Sequence, residues 1–95
     1  DDEIQYSFWG INENTTHIND FIKQNYPKAK LTKIYDGLRT VIFEGMQSET
    51  PTKESMEKES FLFVTSNTAA RVAEELLREI HKKNYYLCHL EFIRE

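Results

Sequence analysis

The chain has 95 residues, with 16 acidic and 12 basic side chains, a net charge of −4, 39% apolar and 13% aromatic residues. That length predicts one domain over residues 1–95, built round one modest core. The aromatic content excludes a disordered acidic tail. The acidic balance argues against a general, non-specific nucleic-acid binder, which carries a basic excess.

In chain order, Ile4 to Gly10 alternates Ile4, Tyr6 and Phe8 with Gln5, Ser7 and Trp9, which predicts a strand with one apolar face. A helix follows, capped by Asn14 or Thr15 and stopped by Pro27. Ile18, Phe21, Ile22 and Tyr26 form its expected buried stripe. Asn14-Thr15-Thr16 also fits a glycosylation acceptor, but capping explains it better. Lys30 to Tyr35 reads as a second strand. Asp36-Gly37 predicts a tight hairpin, and Leu38 to Glu44 a third strand, apolar on both faces. A single bent strand pair from Lys30 to Glu44, projecting as an arm, is the alternative. Gly45 to Lys58 turns polar, contains Pro51 and lacks periodic apolar residues, so it reads as a mobile loop, long for so small a domain.

The stretch from Glu59 to Ile93 is the organising unit. The apolar period changes from two to about 3.6 and back. Phe61, Leu62, Phe63 and Val64 form a strand. Ala69, Val72, Ala73, Leu76 and Ile80 make one stripe of a helix. Ser66, Asn67 and Thr68 offer N-caps, and Lys82-Lys83 suits the helix C-terminus. Tyr85 to Ile93 is a final strand. The order strand, helix, strand, strand, strand, helix, strand predicts an α+β fold of ferredoxin-like βαββ(β)αβ type. Its two helices would lie on one face of a mainly antiparallel sheet.

The inventory for catalysis is thin. Cys88 and His89 are adjacent on the last strand, so their side chains point to opposite faces and form no dyad. His17, His81 and His89 have no metal-ligand spacing. Gly10, Gly37 and Gly45 make no phosphate loop. The sequence therefore predicts a non-enzyme with no cofactor and no metal. With Cys88 alone, no intrachain disulfide forms, and a reducing, cytoplasmic setting is expected. There is no charged-then-apolar leader and no apolar run near membrane-spanning length, so neither a signal peptide nor a membrane span is expected in the chain.

The informative anomaly lies on the strands. Phe61 and Phe63 share one side while Leu62 and Val64 share the other. The last strand repeats the doubling, with Tyr85, Leu87 and Ile93 opposite Tyr86, Leu90 and Phe92. A sheet covered on one side should alternate cleanly. An apolar face is left to be covered by the 45–58 loop, a second copy, a partner protein or stacked bases. Ser60-Phe61-Leu62-Phe63-Val64-Thr65 resembles the third-strand signature of the RNA recognition motif. Ser7-Phe8-Trp9-Gly10 with the following helix resembles its first strand and turn. Glu59 stands where that family has a basic residue, and Leu62 where it has a small one. The resemblance implies base stacking by Phe61 and Phe63. With Trp9 beside them, phosphate contacts would come from the net-basic 20–43 region through Lys30, Lys33 and Arg39.

Three functional expectations follow. The first is a small regulatory domain that docks on a protein partner or on itself through the apolar sheet face or a strand edge. The second is a single-stranded RNA binder. The third, ranked well behind, is a ligand-sensing domain that pairs sheets as a dimer. The candidate binding residues are Trp9, Phe61, Phe63, Tyr85, Lys30, Lys33 and Arg39.

Overall fold

The computed structural model of the chain describes residues 4–65, 70–80 and 85–87. Its elements are β1 (Gln5–Trp9), α1 (Glu13–Asn25), β2 (Lys30–Tyr35), β3 (Ile42–Phe43), β4 (Met46–Gln47), α2 (Lys53–Lys58), β5 (Phe61–Val64), α3 (Ala70–Glu79) and β6 (Tyr85–Leu87). The result is a small α+β domain with three helices among the described residues. The N-cap candidates Ser66 to Thr68, the stripe position Ala69, the Lys82-Lys83 pair, His81, and the Cys88 to Ile93 part of the last strand lie outside the described residues.

The ferredoxin-like expectation does not match this topology. The main sheet has the order β2-β1-β5-β6, and every neighbouring pair in it is parallel. β1 is central, with Phe8 opposite both Ile34 and Phe63. From β1 the chain crosses to β2 on one side; from β5 it crosses to β6 on the other. Right-handed crossovers in opposite directions place their helices on opposite faces. This is why α1 and α3 are not on one face. Ile22 of α1 packs with Tyr6, Phe8 and Ile34, whereas Ala73 and Leu77 of α3 pack with Trp9, Tyr35, Leu62 and Val64.

The apolar doubling of β5 thus has a physical cause within the chain. A parallel sheet is covered on both faces, so its strands are apolar on both sides. Part of the cover comes from the segment expected to be a mobile loop. Thr52 and Ser55 form a reciprocal capping box for α2, which satisfies N–H groups at its first turn. Met56 then points inward and is fully buried against Trp9, Tyr35 and Leu62. One apolar residue in a six-residue helix makes no periodic signal, which hid α2 in the sequence.

The tight hairpin also moves. Asp36-Gly37 does not make it: the Asp36 carboxylate accepts from the amides of Leu38 (2.9 Å) and Arg39 (3.1 Å), a local turn after which the chain leaves the sheet. The hairpin closes at Glu44-Gly45, both at positive φ (54° and 77°), the geometry of a two-residue turn whose twist matches the strands. β3 and β4 pair antiparallel there, and the hairpin packs Phe43 and Met46 onto the α1 face.

The cap of α1 is Asn12, not Asn14 or Thr15. Asn12 Oδ1 accepts from the Thr15 amide (3.2 Å) while Thr15 Oγ1 accepts from the Asn12 amide (3.0 Å). The buried side of α1 becomes Asn14, Thr15, Asn19 and Ile22, leaving Phe21 and Tyr26 exposed. Small polar residues near the N-terminus bring the helix close to the sheet, because Thr15 and Thr65 touch there through their hydroxyls (2.8 Å). Asn14 is buried inside the helix, so its glycosylation pattern is closed by the fold.

Candidate binding groove

Tyr6, Phe8, Phe61 and Phe63 form an aromatic floor on the α1 face. Phe63 lies 5.7 Å from Phe8 and 6.2 Å from Tyr6, centroid to centroid, and Tyr6 meets Phe8 edge-on at 5.6 Å. Offset and edge contacts of this kind favour packing beyond area alone. The α1 helix covers only part of the floor. Between its C-terminal half and the starts of β1 and β5 runs a groove of about 330 Å³, lined by Ile4, Tyr6, Ile22, Tyr26, Ala29, Phe61 and Phe63. Its rim is open: Ile4 is 43% and Tyr26 55% exposed, and Phe21, 59% exposed, holds its ring 6.5 Å from that of Tyr26.

The polar group next to the floor is already engaged. Tyr6 Oη donates to Asn19 Oδ1 at 2.6 Å. Burial raises the Tyr6 hydroxyl above its ordinary range; Lys23 opposes that shift and Glu44 adds to it. Lys23 and Glu44 themselves bridge α1 to the hairpin at 2.6 Å. Asn19 is fully buried, and its Nδ2 has no hydrogen-bond partner among the described residues.

The residues singled out in the sequence divide between the two faces. Residues opposite each other in adjacent strands share a face. Phe61 and Phe63 pair with Tyr6 and Phe8 on the groove side. Trp9 pairs with Tyr35 and Val64 and is buried (3% exposed) on the other side. Tyr85, opposite Leu62 in register, is half-buried against the same cluster as Trp9. Lys30 and Lys33 are opposite Gln5 and Ser7, which puts them on the side of Trp9 too. Lys33 pairs with Glu49 at 3.1 Å. Arg39 is exposed in the loop after β2, at a polar hollow of about 170 Å³ shared with Asp36, Ser48 and Glu49. The chain therefore brings Phe61 and Phe63 together, and separately Trp9 and Tyr85. It does not bring Trp9 or the two lysines to the Phe61–Phe63 platform. Ile4, Tyr6, Ile22, Tyr26 and Ala29 are groove residues that the sequence does not single out as a site: apolar spacing marks Tyr6 and Ile22 as core, and gives no sign of where the end of α1 and its flanking residues leave the sheet open.

Open parallel sheets commonly bind ligands at the C-terminal edge, between strands whose connections diverge. Here that point lies between β1 and β5, and the chain's own polar groups close it. Asn12 Nδ2 donates to the Thr65 carbonyl (3.0 Å), the Thr65 amide to the Trp9 carbonyl (2.9 Å), and the hydroxyls of Thr15 and Thr65 both reach the Gly10 carbonyl. Gly10, at φ 96°, allows that close approach. Among the described residues no cluster of three or more His, Cys, Asp or Glu side chains could hold a metal ion, and no helix is long and apolar enough to cross a membrane. No protein-family model, curated protein or solved structure matches the chain.

Proposed function

We propose that this chain is a small non-enzymatic binding domain of regulatory type, and that its contact surface is the groove between α1 and the start of β5. The observation that carries the reading is the contiguous apolar surface running from Phe21 through Tyr26 and Ile4 to the half-buried Phe61 and Phe63. Apolar surfaces of this kind on small domains mark interaction sites. The shape, a hollow flanked by a helix, suits an apolar side-chain ridge of a protein partner. Aromatic residues at the centre of such a surface are the usual anchors of binding energy. The single Cys88 is the sequence's reason for assigning a cytoplasmic setting.

The test uses Ile4→Asp and Tyr26→Asp, rim positions exposed enough to accept charge without disturbing the core. A protein that co-purifies with the wild-type chain and is lost from both variants, with circular dichroism unchanged, supports the reading. A partner held equally by wild type and variants moves the contact surface elsewhere and refutes it. Single-stranded RNA binding is the second reading. It draws on Phe61 and Phe63 sharing a face, but it would have to work without Trp9, Lys30 and Lys33 on that face.

A further inference from the structure

We infer that the partner in the groove is a second copy of this chain, the two copies meeting face to face about a twofold axis; the inference rests on the docking reading above. A twofold interface must be self-complementary, with a projection and a recess on the same patch. The α1 face has both side by side. The projection is Phe21 on α1 with Tyr26 at the end of that helix, whose rings are in edge contact and more than half exposed. The recess is the groove beside them, walled by Ile4, Ile22 and Ala29 and floored by Tyr6, Phe61 and Phe63. A half-turn that brings the recess of one copy over the projection of the other also brings the reverse pair together.

The area agrees with this. A fully buried aromatic side chain removes about 150–250 Å² from water. The exposed fractions of Phe21 (59%), Tyr26 (55%) and Ile4 (43%), with the open groove walls, then offer roughly 400 Å² of apolar surface per copy. A standard stable interface buries about 800 Å² per partner, a little over half of it apolar. The apolar requirement of a modest dimer is thus met by this one patch. On the groove floor, Tyr6 already donates to Asn19 beneath the surface, so closing the patch does not strand the Tyr6 hydroxyl.

The experiment is sedimentation velocity of the full 95-residue chain from about 1 µM to about 1 mM, beside Phe21→Asp and Tyr26→Asp, with anilinonaphthalene sulfonate fluorescence measured on the same samples. The expected result is a wild-type mass that rises from one copy to two across the range. Each variant should keep its circular dichroism and weaken association at least about tenfold, since a charge facing an apolar recess costs more than 1.4 kcal/mol. A wild-type chain that stays monomeric at the top concentration overturns the inference, as does a dimer unaffected by both variants. The dye separates the two levels. A monomer that binds the dye in a Tyr26→Asp-sensitive way leaves the groove as a docking site for another protein; a monomer that does not bind it removes the docking reading as well.

Discussion

Met56→Ala tests the account where it departs furthest from the sequence. If residues 45–58 were a mobile loop, Met56 would be solvated and its truncation would be silent. Instead its side chain is fully buried in a cluster with Trp9, Tyr35, Leu62, Val64, Ala73 and Leu77. Truncation removes the transfer free energy of three heavy atoms beyond Cβ and leaves a cavity between α2, α3 and the sheet. Buried Met→Ala changes cost about 2–5 kcal/mol, and α2, held to α3 by the exposed Lys53–Glu79 pair (2.6 Å), has some freedom to settle. About 3 kcal/mol is therefore expected, which lowers the melting temperature of a domain this size by about 12–24 °C. For a small domain that loss is a large share of the total stability. The assay is urea unfolding followed by fluorescence of Trp9, the only tryptophan, which sits in the same cluster and reports directly on it. A loss below about 0.5 kcal/mol, the range of ordinary surface changes, would refute the placement of α2.

Gly45→Ala should cost about 1 kcal/mol by forcing a side chain into the left-handed region at φ 77°, read by the same unfolding curve; no change would argue against the Glu44-Gly45 turn. Asn12→Ala should cost about 1–2 kcal/mol, because it removes both the α1 cap and the donor to the Thr65 carbonyl. Alkaline pH should destabilise the fold. The Tyr35 hydroxyl is raised above its ordinary value of 10.0, first by burial and then by its 2.5 Å hydrogen bond to Glu59, and Tyr6 is raised by burial. Both are neutral in the fold while the unfolded chain ionises near its ordinary value. Their stabilisation is full below about pH 10 and is lost as pH rises beyond it. Tyrosinate absorbance at these two sites should therefore appear together with loss of circular dichroism, and early ionisation of Tyr35 in a folded chain would contradict its burial.

Much of the secondary structure was legible. β1, α1, β2, β5 and α3 lie where the apolar periods place them, because each is long enough for a pattern to repeat. Strand direction was not legible, because hydrophobic alternation does not encode it. The clue was the doubling on Phe61 to Val64, which a one-sided sheet does not need and a parallel sheet does. The sequence leaves that second face to the 45–58 segment, a second copy, a partner or bases; α2, which lies in that segment, and α3 cover the Leu62–Val64 side. Asp36-Gly37 was the stronger composition signal for a hairpin, yet the Asp36 carboxylate bonded its own downstream amides and Glu44-Gly45 made the hairpin. The site was half legible. Phe61 and Phe63 were identified as one surface from their spacing. Trp9 was grouped with them by residue type, although its odd offset from Tyr6 and Phe8 on β1 already placed it on the other face.

The most direct measurement is site-specific photocrosslinking with benzoylphenylalanine in place of Tyr26 at the groove rim, compared with the same group in place of exposed Val72 on α3 at the opposite face. The account predicts a discrete protein adduct from position 26, at the mass of two copies if the second-copy inference holds, and none from position 72. Adducts from position 72 but not from position 26 would contradict it.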